Sequence, residues 1–78
     1  MDFEYPVIDK KKLGSTLKRY MQERGLTARD VQAYLGLACV QTVYRWTAGI
    51  SIPTVDNLYA LSRLMNISID ALVGSKSN

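Results

Sequence analysis

Apolar residues recur with a helical period along most of the chain. Leu13, Leu17 and Met21 fall at i, i+4 and i+8 behind Asp9, which stands where a cap belongs. Lys11, Lys12, Lys18 and Arg19 occupy the other face. The spacing predicts a first helix from about Lys10 to Arg24, stopped by Gly25. Thr27-Ala28-Arg29-Asp30 has the form of a capping box with Asp in place of the usual Glu, and opens a short second helix. Val31, Tyr34 and Leu35 form its expected core side, and Gly36 ends it. A third helix is predicted from about Val40 to Thr47. Its Val43 and Trp46 point inward, leaving Gln41, Thr42, Tyr44 and Arg45 outward. Ala48-Gly49 ends it, and the loop Ile50-Ser51-Ile52-Pro53 cannot be helical into the proline.

Thr54 caps a fourth helix reaching Met65, with Val55, Leu58, Leu61, Leu64 and Met65 as its apolar face and Asn66 as a left-handed stop. Ser68 caps a short fifth helix containing Ile69, Leu72 and Val73, closed by Gly74. Residues 1–8 differ. Phe3, Tyr5 and Val7 alternate with Asp2, Glu4 and Pro6, the pattern of an extended arm or edge strand. The expected architecture is all-α: an arm over 1–8, a compact five-helix bundle over 9–74 and a fraying tail over 75–78.

Composition narrows the function. Seventy-eight residues make one domain with a modest core, too short to carry a separate small-molecule effector domain, and the 47% hydrophobic content suits a folded globule. No apolar run approaches the ~20 residues of a membrane span. The acidic start Met-Asp-Phe-Glu is unlike a secretory signal, so a cytoplasmic location is expected. Histidine is absent, which removes the commonest general base and metal ligand. The carboxylates Asp2, Glu4, Asp9, Glu23, Asp30, Asp56 and Asp70 are scattered without a catalytic pair. Cys39 stands alone and supports neither an internal disulfide nor a structural zinc site. With no resolving group, it reads as a small, partly buried residue. Neither enzyme, metal nor cofactor finds a positive feature.

Net charge is +3, and its distribution says more than its size. Between Asp30 and Asp56 there is no acid, and Arg45 is the single charge, so a surface built from this stretch meets phosphates without repulsion. Two short helices joined at Gly36 form a candidate helix-turn-helix, the second entering the major groove. There Gln41 pairs with adenine, Arg45 with guanine, Thr42 serves base edges or phosphate, and Val40 meets a thymine methyl. The amino end of the preceding helix, at Thr27, is placed to bind a phosphate, as is Ser51 in the following loop. Tyr44 either packs or donates to a phosphate. Trp46 and Tyr34 read as core rather than as base-stacking platforms. Lys10 to Lys12 read chiefly as a solvated helix start.

Gly25-Leu26-Thr27, Leu35-Gly36-Leu37, Gln41 through Trp46, Gly49, Pro53, Leu58 through Met65 and Ile67-Ser68-Ile69-Asp70 together resemble the Cro and phage-repressor (XRE) helix-turn-helix family, over about Asp9 to Val73. The resemblance implies a lambda repressor-like bundle that binds a palindromic operator as a homodimer. It implies base contacts from Val40, Gln41 and Arg45, with Cys39 and Tyr44 at the flank. Three departures stand out. Ala28 occupies a position where the family often has a phosphate-gripping Gln, with Arg29 beside it to supply charge. Gln32 stands where the family usually has Ala. The turn Gly36-Leu37-Ala38-Cys39 is one residue longer than usual. The sequence therefore points to a small transcription regulator, with repression the expected outcome. The alternative is a protein-interaction module on the same fold, antitoxin-like or an anti-regulator, which the low charge and Ala28 favour. The Ile50–Ile52 loop, the fifth helix with Leu72 and Val73, and the Phe3/Tyr5/Val7 arm are the expected dimer surfaces.

Overall fold

The structure is a computed structural model that describes residues 7–73. Five helices follow in order: α1 (Lys10–Glu23), α2 (Ala28–Leu35), α3 (Gln41–Thr47), α4 (Val55–Met65) and α5 (Ile69–Val73). α1 is the hub, packing against α3 and α5. α2 packs on α3 and α4, and α4 packs on α5. The core joins Leu13, Leu17 and Met21 of α1 to Val31, Val43, Trp46, Leu58, Leu61, Met65, Leu72 and Val73. At roughly 25 cal/mol per Å² of apolar surface, these buried side chains are the main source of stability.

The helix boundaries follow local chemistry. Asp9 accepts from the Lys11 and Lys12 amides, capping α1. The capping box at α2 forms reciprocally: the Asp30 amide donates to the Thr27 hydroxyl (3.1 Å) and the Thr27 amide to the Asp30 carboxylate (2.9 Å). Ala71 N–H donates to Ser68 Oγ at 3.0 Å, capping α5. Thr54 occupies the cap position of α4, but its hydroxyl donates to the Asp56 carboxylate and accepts no backbone amide. α2 stops by a reversal in which Gly36 adopts φ 68° and the Leu37 amide reaches back to Gln32 O at 3.0 Å. Asn66, at φ 57°, ends α4 in the same way.

Gly14 sets the α1–α3 distance. A Cβ there would lie 2.5 Å from the carbonyl oxygen of Trp46 and 2.9 Å from that of Thr47, so the two backbones approach as only glycine allows. At the other end of α1, Arg24 donates from Nε to Met65 O at 2.8 Å, a cation on the carboxyl end of α4.

Four expectations about burial are corrected. Tyr34 is 53% exposed, because it sits at the margin of the stripe centred on Val31. Val55 is exposed, since the core stripe of α4 is Leu58, Leu61, Ser62 and Met65, with Val55 turned off it in the first turn. Leu72 and Val73 are buried against α1 and α4 and offer nothing to a dimer surface. Cys39 is exposed rather than partly buried. The Phe3/Tyr5/Val7 arm, Gly74 and the 75–78 tail lie outside the described residues, apart from Val7 and Ile8, which are exposed and outside any helix.

Candidate nucleic-acid interface

α2 and α3 pack together and are joined by residues 36–40. Gln32 is tied to the turn that follows α2. Gln32 is half-buried, and its amide Nε2 donates to Leu37 O at 3.3 Å, holding the first carbonyl after the reversal. A small residue at position 32 could not reach it. Val40 then takes helical φ/ψ (−74°, −21°), and its carbonyl accepts from the Val43 amide at 3.0 Å.

α3 is amphipathic over its seven residues, with Val43 and Trp46 buried. Gln41, Tyr44 and Arg45 are exposed, and Thr42 is half-exposed. Val40, half-buried at the helix start, adds an apolar contact beside them. The Thr42 hydroxyl lies 3.6 Å from Cys39 Sγ; its side chain and then its backbone hold the thiol below its ordinary value of 9.0. Arg45 is in the last turn, where its charge also suits the helix dipole, and its carbonyl accepts from the Ile50 amide at 2.9 Å. No ion pair engages Arg45 or Arg29 among the described residues.

Thr27 and Arg29 are exposed at the amino end of α2. The Thr27 hydroxyl accepts from the Asp30 amide inside the capping box. Ser51 is half-buried in the α3–α4 loop, its amide 3.4 Å from Arg45 O. Tyr44 is 56% exposed and lines a shallow cleft with Thr47, Lys18, Gln22, Met21, Leu26 and Ala28. Sequence reasoning missed Lys18, Gln22 and Thr47 as part of this surface, because the cleft joins three segments distant along the chain. The one available signal was Lys18 itself, on the polar face of α1.

Among the described residues, Asp30 is tied into the capping box and Glu23 to Arg19 (3.3 Å) and Arg24 (3.6 Å). α3 itself carries no acid and one cation, Arg45. No group of three metal-ligating side chains stands together, and no helix is long and apolar enough to cross a membrane, among the same residues.

A helix-turn-helix family model matches residues 17–72. A transcriptional regulator from Listeria innocua has a similar structure, with a TM-score of 0.78 and 27% identity, over 85% of this chain and 61% of that one. The restriction-modification controller protein C.AhdI from Aeromonas hydrophila matches with a TM-score of 0.73 and 21% identity, over 85% of this chain and 98% of that one, a likeness of fold. This chain thus spans less than two thirds of the Listeria protein. No curated protein matches the sequence.

Proposed function

The chain belongs to the Cro and phage-repressor (XRE-type) helix-turn-helix family, and from that premise we propose that it binds double-stranded DNA sequence-specifically as a small transcription regulator, a repressor, with α3 in the major groove. The observation that carries this reading is α3 itself. Its buried side is committed to Val43 and Trp46, while Gln41, Arg45 and the edge of Thr42 stand outward on a helix that carries no acid. Those side chains, with the Val40 methyls, are the types that read base edges. Thr27, Arg29, Tyr44 and Ser51 border them with hydroxyls and a guanidinium suited to phosphates.

A single short recognition helix reads too few bases for a genome, so the active species is a homodimer on a palindromic operator with half-sites about one helical turn apart. Support for the pairing surface comes from exposed apolar residues: Ile50 and Ile52 of the α3–α4 loop, with Val55 and Tyr59 of α4. Asp56, Tyr59 and Arg63 share the exposed side of α4. Pairing two α4 helices antiparallel across a twofold axis sets each Asp56 against the partner's Arg63, with Tyr59 between them.

Selection of binding sites from a randomised duplex pool tests the reading. The expected result is a palindromic consensus whose binding weakens steeply with salt. Absence of any enriched duplex would favour the protein-interaction alternative and overturn the DNA reading.

A further inference from the structure

The cleft between α1, the start of α2 and the end of α3 has a volume of about 250 Å³. Its floor is apolar, made by buried Met21 and half-buried Leu26 and Ala28. Its rim is polar and exposed, made by Lys18, Gln22 and Tyr44. It lies at the far end of the seam between α1 and α3, which begins where Lys11 meets Gly49 and passes Gly14 beneath the Trp46 and Thr47 carbonyls. We propose that residues 1–6, which precede the described part of the chain, fold back along this seam and seat Phe3 on the apolar floor, so that the protein covers Tyr44 with its own amino-terminal arm and restrains α3 from DNA. The docking stands on its own observations, and its consequence for DNA rests on the DNA-binding reading above.

Three observations select this occupant. The first is reach. Lys18 lies about 12 Å along α1 from Lys10, where the helix begins. Five steps separate Ile8 from Phe3, up to about 17 Å of extended chain, so Phe3 reaches the cleft with slack left for the reversal. The second is complementarity. In an extended arm Phe3 and Tyr5 fall on one side and Asp2 and Glu4 on the other. The cleft offers an apolar floor to the first side, and Lys11, Lys12 and Lys18 stand exposed on α1 for the second. Lys18 has no carboxylate partner among the described residues, since Glu23 is taken by Arg19 and Arg24 and Asp30 by the capping box. The third is size. The cleft is smaller than the ~300–1,000 Å³ of pockets that enclose free small molecules. A tethered segment is presented to it at an effective concentration in the millimolar range, so a contact too weak to hold a free ligand is still populated.

Tyr44 is the immediate neighbour of Arg45, so a docked arm also sets Asp2 and Glu4 beside the base-reading helix, where they oppose phosphates. The test uses the full chain. Nuclear Overhauser effects should join the Phe3 ring to the methyls of Met21, Leu26 and Ala28, and the ring should shift the Met21 methyl resonance. Phe3→Ala removes that shift without touching the described domain, and Ala28→Leu, which fills the floor, should abolish the same contacts. Binding to a duplex from the selection is then followed by fluorescence anisotropy. Phe3→Ala leaves the net charge unchanged and should tighten binding about threefold per half-site, the change expected for an arm docked about two-thirds of the time.

Absence of any Overhauser effect between Phe3 and those methyls overturns the docking. Effects found only between differently labelled chains in a mixed sample assign the cleft to the arm of a second copy and overturn the intrachain contact. Intrachain effects with unchanged affinity in Phe3→Ala overturn the restraint on DNA binding. Failure of the unaltered chain to bind any duplex overturns the DNA reading and the restraint with it, while the Overhauser effects still decide the docking.

Discussion

At its carboxyl end α3 meets α1 backbone to backbone, whereas its amino end hangs from the turn of residues 36–40. The first attachment is dense: Gly14 lies under the Trp46 and Thr47 carbonyls, and Val43 and Trp46 are buried. The second consists of a glycine reversal, a side-chain bond from Gln32 to Leu37 O and the Cys39–Thr42 contact, and α3 has no side-chain cap. Ala38, Cys39 and Gln41 are all exposed there. The helix is thus fixed most closely at its carboxyl end, and the end presenting Val40 and Gln41 is held by fewer fixed groups. Candidate base readers sit on both halves, so the two attachments have separable consequences.

Gly14→Ala attacks the dense end and has the largest expected effect. Within a helix, alanine is favoured over glycine by about 1 kcal/mol, so in open space this change would stabilise. Here the new Cβ would stand 2.5 Å from a backbone oxygen, and backbone cannot swing aside as a flexible side chain does. We expect a net loss of about 3 kcal/mol, a large part of a small domain's stability. Urea unfolding measures it, and a raised midpoint would show that α1 and α3 do not approach as closely as described.

Arg45→Ala acts on the same well-held half without touching the core. Binding to the selected operator should weaken by about 2 kcal/mol, with relaxed preference at one base pair per half-site. Gln41→Ala, on the less closely held half, should cost about 1 kcal/mol, because a less fixed side chain loses more entropy on docking. Equal losses for the two would erase the distinction between the ends.

Much of this arrangement was legible in the sequence. The stops at Gly25, Gly36, Gly49 and Asn66, the caps at Asp9, Thr27 and Ser68, and the inward pair Val43 and Trp46 are local matters, decided by residues a few positions apart. The misread positions share a cause. Tyr34 and Val55 lie at the edges of their helical stripes, where the periodic pattern does not decide a side and only the neighbouring helix does. Gly14 reads locally as a weak helix former, and its purpose appears only when Trp46 and Thr47 are brought over it. Gln32 and the long turn look like two separate departures until the hydrogen bond joins them. The cleft beside Tyr44 draws on α1, α2 and α3 together, and no spacing within one segment encodes it.

Gln32→Ala probes the loosely held end. It removes the donor to Leu37 O and should cost about 1 kcal/mol of stability. Its sharper signature is local: hydrogen exchange of amides between Leu37 and Thr42 should accelerate more than that of α1. A uniform acceleration throughout the domain would mean that the turn has no independence from the core.

Acid offers the mildest perturbation of the same half, through α2. The Asp30 carboxyl is held below its ordinary value of 3.8, chiefly by the Thr27 amide and then by the Thr27 hydroxyl. A group whose pKa is lowered on folding contributes stability that is complete above its unfolded value and lost as pH falls through the folded one. The contribution of Asp30 should therefore be constant above about pH 4 and fade only below it. Asp30→Asn keeps the shape and removes the ionisation, so stability measured from neutral pH downward should converge with that of the unaltered protein in strong acid. The exposed site keeps the effect small. Loss of the capping box should appear first as exchange at the amides of Thr27 and Asp30, while amides of α1 beside Gly14 stay protected. If α1 opened together with the α2 cap, the two ends of α3 would not be held independently.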